Sequence, residues 1–150
     1  MDLTDLIPQD SILPSLRGRD KASIVAEMAG FLIQQGKLPS DQLQEAIAGI
    51  LAREKQLSTF IGLGLCIPHA GIPSMHGLAV ALARVPEGVD WDSPDGAPGR
   101  LFILLIYEEG EATLHLKNLA ALAKFFSRPG VIEKILAAPG EAEIYQLLKN

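Results

Sequence analysis

Several features that define whole classes of protein are scarce or missing in this sequence. It has one cysteine, Cys66, so it cannot form an intramolecular disulfide, and we expect it to work in a reducing compartment. Basic residues number 13 against 18 acidic ones, and the net charge of −5 argues against binding nucleic acid through a general basic surface.

Signals for export or for membrane insertion are also missing. The N-terminal residues have neither the basic region nor the long apolar stretch of a signal peptide. The longest uncharged stretch runs from Gln56 to Val85 apart from Arg84, and Gly, Pro, Ser and His interrupt it repeatedly, so no segment is predicted to span a membrane. We therefore expect a cytoplasmic protein that would serve a membrane partner only as a separate molecule.

The sequence does have enough apolar residues for a substantial core. Its 150 residues are 48% hydrophobic, which fits one compact domain over residues 1–150. Apolar residues at helical spacing and turn residues at the ends predict helices at 21–35, 40–55, 111–127 and 129–137, and a last one that ends near 149. Gly36 is a plausible C-cap for the first of them.

Strands are predicted between the two groups of helices and near the N-terminus, at 11–13, 65–67, 78–85 and 101–107. The last is continuously apolar, which is typical of a central strand covered on both faces. Residues 86–99 are rich in Pro, Gly and Asp and predict a loop. This order predicts a layered α/β domain with a mixed β-sheet of about five strands at most.

His69 is the leading candidate for chemistry, because it follows a short apolar strand and Pro68. A neutral imidazole has one nitrogen free to attack phosphorus, while the other can donate to a carbonyl group that fixes the tautomer. The amides of Gly62 and Gly64 and the hydroxyls of Ser58 and Thr59 would then contact a phosphoryl group. The alternative is that Pro-His merely ends a strand with a polar residue.

Two further residues could assist His69. His115 shares a helical stripe with apolar residues, so it is expected to point into the protein near a helix N-terminus, which disfavours its charged form. Arg53 offers a permanent charge and a fork of donors suited to phosphate. The alternatives are a partly buried histidine bonded to a carbonyl group and a cation that only stabilises a helix end. A metal-dependent hydrolase that uses His69, His76, His115 and an aspartate is a third hypothesis, but the spacing matches no recognised metal motif.

Three separated motifs resemble one family in the correct order. The run from Arg53-Glu54 through Ser58-Thr59 and Gly62 to Ile67-Pro68-His69 resembles the active-site signature of the IIA proteins of the bacterial sugar phosphotransferase system, of the fructose, mannitol and nitrogen-regulatory type. The segment from Gly88 to Gly96 is similar to the family's Gly-Val-Asp-Phe-x-x-Pro-Asp-Gly loop. The segment from His115 to Ala123 is similar to the helix that carries the family's second active-site histidine.

The resemblance implies an α/β fold in which helices flank a mixed sheet on both sides. It also implies a phosphohistidine at His69, assisted by His115 and Arg53, with no cofactor and no metal. The phosphoryl donor would be a small histidine phosphocarrier protein, and the acceptor would be a IIB domain or a regulatory target protein.

The sequence departs from the family's motif at positions close to His69. Phe60 stands where the family has glycine, Leu63 where it has asparagine between two glycines, and Ala70-Gly71 where it has Gly-Lys. The changes remove a polar side chain and a positive charge near the expected phosphate. They motivate an alternative function, a nitrogen-type regulatory protein that binds targets according to its phosphorylation state without transporting sugar.

Overall fold

Two long antiparallel strands form the centre of the sheet. The computed structural model, which describes residues 2–56 and 58–149, pairs β5 (Leu78–Val89) with β6 (Gly99–Glu108). The apolar run predicted as a central strand is β6, whose residues Leu101 to Ile106 are fully buried. The prediction of a strand covered on both faces is therefore confirmed.

Four short strands complete the mixed sheet. On one side, β1 (Ile12–Leu13) runs parallel to β5. On the other side, β3 (Leu65–Cys66) and then β4 (His69–Ile72) run parallel to β6, one after the other along the same edge. The strand β2 (Phe60–Gly62) is antiparallel to β3 and completes the order β1-β5-β6-β3-β2. In the described residues the sheet has six strands, one more than predicted.

Helices cover both faces of the sheet, as predicted. Their bounds are α1 (Leu3–Leu6), α2 (Lys21–Gln34), α3 (Leu43–Gln56), α4 (Ala112–Phe126), α5 (Val131–Ala137) and α6 (Glu141–Leu148), with single 3-10 turns at Gln9–Ser11 and Ser40–Gln42. A capping box between Asp20 and Ser23 starts α2, and Gly36, with φ of +73°, lies just past its end. The described residues contain no helix that is both long enough and apolar enough to span a membrane.

Alternate residues of β6 supply two separate hydrophobic cores. Phe102, Leu104 and Ile106 pack on the side of α2 and α3. Leu101, Ile103 and Leu105 pack with α4, α5 and α6 on the other side. A strand with a core on each face needs apolar residues at every position, which explains the unbroken run.

Some predicted boundaries were wrong. His69 begins β4 instead of following the end of a strand, because Pro68 lacks the N–H needed to continue β3. The Pro68 carbonyl still accepts from the Leu105 amide at 3.0 Å, so the chain stays close to β6. The strand β5 continues to Val89 through a shift in register and takes up part of the predicted loop at 86–99.

Candidate active site

One cleft collects five of the predicted site residues. It lies between α3, α4 and the strands β2, β4 and β6, and its lining includes Arg53, Ser58, Thr59, Phe60, Ile61, His69, Tyr107, His115 and Leu116. The predicted pair of glycines, Gly62 and Gly64, is not part of that lining. The fold thus joins residues that lie more than sixty positions apart in the sequence, Arg53 and His115.

His69 is held in a single tautomer by the backbone. Its Nδ1 donates a hydrogen bond to the Ile67 carbonyl at 2.7 Å, which leaves the lone pair on Nε2. Burial lowers the pKa of His69 below its ordinary value, and the charge of Arg53 lowers it further, against the opposing effects of the Ile67 carbonyl and Glu54. The net lowering of the pKa favours the neutral ring at pH 7, and the lone pair on Nε2 of a neutral ring can act as a nucleophile.

His115 lies in the first turn of α4 and is only 5% exposed. Burial, followed by the charges of His69 and Arg53, lowers its pKa to about 4. Within residues 2–56 and 58–149, neither ring nitrogen of His115 has a hydrogen-bond partner. The centroid of its ring is 4.8 Å from that of His69. A neutral imidazole here can offer one N–H donor to an anion bound beside His69.

Tyr107, which none of the sequence motifs includes, also contacts the ring of His115. The two rings are stacked, with centroids 3.9 Å apart and planes only 14° from parallel. Tyr107 is the ninth residue of the ten-residue strand β6, directly opposite Gly71 of β4. Its place at the carboxyl end of a central strand is the one signal in the sequence that could have indicated a site residue.

Glu54, the neighbour of Arg53 on α3, is a buried carboxylate behind the cleft. Its side chain is 2% exposed and lies 3.2 Å from the Lys21 ammonium. The same carboxylate accepts hydrogen bonds from the Thr59 hydroxyl and, at 3.4 Å, from the Thr59 amide. These contacts tie the segment before β2 to the end of α3 and so position it along the edge of the cleft.

The predicted phosphate-binding residues have internal contacts. The Ser58 hydroxyl donates to the Trp91 carbonyl at 3.2 Å, and the Phe60 amide donates to the Ser58 oxygen at 3.3 Å. The Gly64 carbonyl accepts from the amides of Arg100 and Leu101 at 2.8 and 3.0 Å. The role of Ser58, Thr59, Gly62 and Gly64 in binding phosphate stays a prediction.

The third histidine lies apart from the cleft. His76 is exposed, and its Nδ1 is 3.4 Å from a carboxylate oxygen of Glu108. In the part of the chain that the structure describes, no three His, Cys, Asp or Glu side chains are grouped closely enough to hold a metal ion. The hypothesis of a hydrolase that uses His69, His76 and His115 together therefore has no geometric support.

Comparison with known proteins agrees with the resemblance in the motifs. The family model described as "Phosphoenolpyruvate-dependent sugar phosphotransferase system, EIIA 2" matches residues 5–150. The chain is 33% identical over 150 residues to the "PTS system fructose-specific EIIABC component" of Bacillus subtilis. That alignment covers 100% of this chain but only 23% of the relative, so the chain spans about a quarter of that protein's length.

Two further similarities are to proteins of another role. The chain is 31% identical over 148 residues to the "Nitrogen regulatory protein" of Bradyrhizobium diazoefficiens, covering 99% of this chain and 95% of the relative. The crystal structure of nitrogen regulatory protein IIA-Ntr from Neisseria meningitidis superposes with a TM-score of 0.84 at 27% identity, over 97% of this chain and 98% of the other. Sugar-specific and regulatory proteins are thus both similar to this chain.

Proposed function

Because the chain belongs to the EIIA 2 family of the phosphoenolpyruvate-dependent sugar phosphotransferase system, we propose that it carries a phosphoryl group on His69. It accepts the group from a histidine phosphocarrier protein and passes it to a IIB partner. The observation that carries the proposal is the hydrogen bond from His69 Nδ1 to the Ile67 carbonyl, which leaves Nε2 as the nucleophile in a cleft beside a second neutral histidine.

Transfer of the phosphoryl group from the donor to His69 needs no cofactor, because one N–P bond forms as another breaks. The lone pair of His69 Nε2 attacks phosphorus, so the new N–P bond forms as the N–P bond of the donor phosphohistidine breaks. The donor imidazole keeps the electron pair of that bond. Positive charge then develops on the His69 ring, and the Ile67 carbonyl stabilises it at Nδ1–H.

Arg53 and His115 stabilise the transferred group. Phosphoryl transfer spreads negative charge over three equatorial oxygens, which need donors and positive charge more than covalent chemistry. Arg53, on the cleft wall, supplies a fixed cation, and its charge acts on both histidines. His115 supplies a neutral N–H donor, because its pKa of about 4 leaves it uncharged at pH 7.

The name of the relative from Bacillus subtilis supports the choice of partner. That protein is called an EIIABC component, and this chain matches 23% of its length. The name indicates that the same polypeptide also contains B and C components. The corresponding partner proposed for this chain is a IIB domain. A cytoplasmic location follows from this role and stays a prediction.

A phosphorylation assay tests the proposal. Incubation with phosphoenolpyruvate and the two general phosphotransferase proteins should add one acid-labile phosphoryl group, measured by intact mass. His69→Ala should abolish the increase. His76→Ala is the matched control, since that histidine is exposed and lies outside the cleft, and it should be phosphorylated like the natural protein. A phosphoryl group that persists on His69→Ala would refute the assignment.

A regulatory role is the second candidate function. The Bradyrhizobium relative is matched over 95% of its own length, and the Neisseria structure over 98%. Both are named nitrogen regulatory proteins. In this role His69 would be phosphorylated by the same chemistry, and the phosphorylated and free forms would bind a target protein with different affinity.

Partner capture separates the two roles. Three forms would serve as bait: the phosphorylated natural protein, the unphosphorylated natural protein and His69→Ala. The proteins bound to each would be identified by mass spectrometry. A IIB domain supports transport, whereas a kinase, channel or transcription regulator that binds one state of His69 supports regulation. Binding that is the same in all three samples contradicts the regulatory role.

A further inference from the structure

We propose that Tyr107 is a positioning residue that fixes the ring plane of His115 in the cleft. The inference rests on the proposed function, in which His115 donates a hydrogen bond to the phosphoryl group on His69. It assigns a role to a residue outside the motifs that identify the family.

Hydrogen bonds do not orient the His115 ring. Within the described residues, neither of its nitrogens has a hydrogen-bond partner, although the residue is only 5% exposed. His69 differs, because its Nδ1 is tied to the Ile67 carbonyl at 2.7 Å. The His115 ring must therefore be oriented by packing if its N–H is to point reliably at a phosphoryl oxygen.

Tyr107 supplies that packing. Its ring lies parallel to His115 within 14° at a centroid distance of 3.9 Å, whereas His69 is tilted by 45° at 4.8 Å. Rotation of His115 about its Cβ–Cγ bond would swing both nitrogens and break the parallel contact at once. The stack thus holds the ring by its face and leaves both edge nitrogens available for hydrogen bonds.

Gly71 makes room for Tyr107. The two residues are direct partners in the parallel pairing of β4 and β6. A Cβ atom on residue 71 would lie 2.9 Å from Cε2 of Tyr107, closer than such atoms approach, so any side chain there would displace the ring. The lack of a side chain at Gly71 therefore allows Tyr107 to take its stacked position.

Substitution of Tyr107 tests the inference. The initial rate of His69 phosphorylation would be measured by intact mass with the histidine phosphocarrier protein as donor. Tyr107→Leu removes the stack and should slow phosphorylation about tenfold, as expected for a small misplacement of a catalytic group. Tyr107→Phe keeps the ring and should restore most of the rate. Tyr145→Leu makes the same change at the chain's other tyrosine, on α6, and should leave the rate as it is.

Gly71→Ala provides an independent test that leaves Tyr107 in place. Its Cβ should displace the Tyr107 ring from its stacked position and slow phosphorylation of the natural protein to a similar extent. In a Tyr107→Leu background, the same substitution should have little further effect, because the ring it displaces is absent. Equal slowing by Gly71→Ala in both backgrounds would overturn the inference, and so would a Tyr107→Leu rate equal to the natural one.

An NMR measurement separates this inference from the proposed function. The ring protons of His115 should be shifted by the facing aromatic ring, and the shift should disappear in Tyr107→Leu but persist in Tyr107→Phe. If the natural protein is not phosphorylated, the proposed function fails. If it is phosphorylated and Tyr107→Leu loses the ring shift without losing rate, only the positioning role of Tyr107 is refuted.

Discussion

The rings of His69 and His115 lie 4.8 Å apart at an angle of 45°, yet among the described residues only the His69 ring has a hydrogen-bond partner in the backbone. The bond to Ile67 fixes the tautomer of His69. Within residues 2–56 and 58–149 the His115 ring has no such bond, and burial together with the charge of Arg53 keeps it neutral at pH 7. In the proposed function, His69 is therefore the nucleophile of defined tautomer and His115 the neutral donor of a hydrogen bond.

The first prediction concerns the titration of His115. Its pKa should be about 4, and His69→Ala should raise it toward the ordinary value of 6.5, because a neighbouring charge is removed and the cavity opens to water. Histidine-selective NMR between pH 3.5 and 8 would measure both values. A His115 that titrates near 6.5 in the natural protein would contradict the prediction.

The second prediction links this pKa to stability. Between pH 6.5 and about 4 the unfolded chain binds a proton at residue 115 that the folded chain does not, so the free energy of unfolding falls as the pH falls through that range. Chemical denaturation at pH 7 and pH 5 should show a loss for the natural protein that exceeds the loss for His115→Phe by roughly 1–2 kcal/mol. Equal losses would rule out a buried neutral histidine.

The third prediction concerns the buried carboxylate behind the cleft. Glu54→Ala should lower the free energy of unfolding by about 2–3 kcal/mol, because it removes the acceptor of the Thr59 hydroxyl and the buried carboxylate beside Lys21, which keeps only the exposed Asp92 at 3.4 Å. Glu54→Gln keeps an acceptor for Thr59 and should cost about 1 kcal/mol. Urea denaturation measures both.

Glu45 provides the matched control for that experiment. It lies on the same helix as Glu54 but is exposed, and it accepts one hydrogen bond from Ser74 at 2.8 Å. Glu45→Ala should change the free energy of unfolding by no more than about 0.5 kcal/mol. Similar costs at positions 45 and 54 would mean that the Lys21–Glu54–Thr59 contacts contribute little.

The fourth prediction concerns the turn between β2 and β3. Leu63 and Gly64 have φ of +57° and +86°, the signs of a type I′ hairpin turn, in which asparagine is preferred at the first position and leucine is strained. Leu63 is also 71% exposed. Leu63→Asn should therefore raise the free energy of unfolding by about 1 kcal/mol, measured by denaturation.

Leu114 is a suitable control for the turn. It is 54% exposed but lies in α4, where asparagine is a poorer helix former than leucine. Leu114→Asn should lower the free energy of unfolding by about 0.5 kcal/mol. If Leu63→Asn destabilises the protein as Leu114→Asn does, the turn at Leu63 is not strained.

Long periodic segments made much of the fold predictable. Helix α2 was visible from the spacing of Ile24 and Met28 and from Gly36 at its end, and β6 from its unbroken apolar run. The short strands were not. Three residues in β2 and four in β4 are too few to give a reliable alternation, so β2 was missed and His69 was placed after a strand instead of at the start of one.

The sequence by itself determined an α/β domain without an intramolecular disulfide and the residue types of the site. Helical spacing, apolar strand runs and local motifs involve residues that are close together in the sequence, so they can be recognised without the fold. Only the tertiary structure decided that His115 stacks on Tyr107, that Gly71 makes room for that ring, and that Thr59 bonds to Glu54. Those contacts depend on the register of β4 against β6 and on side-chain direction. Neither is fixed until distant segments pack together.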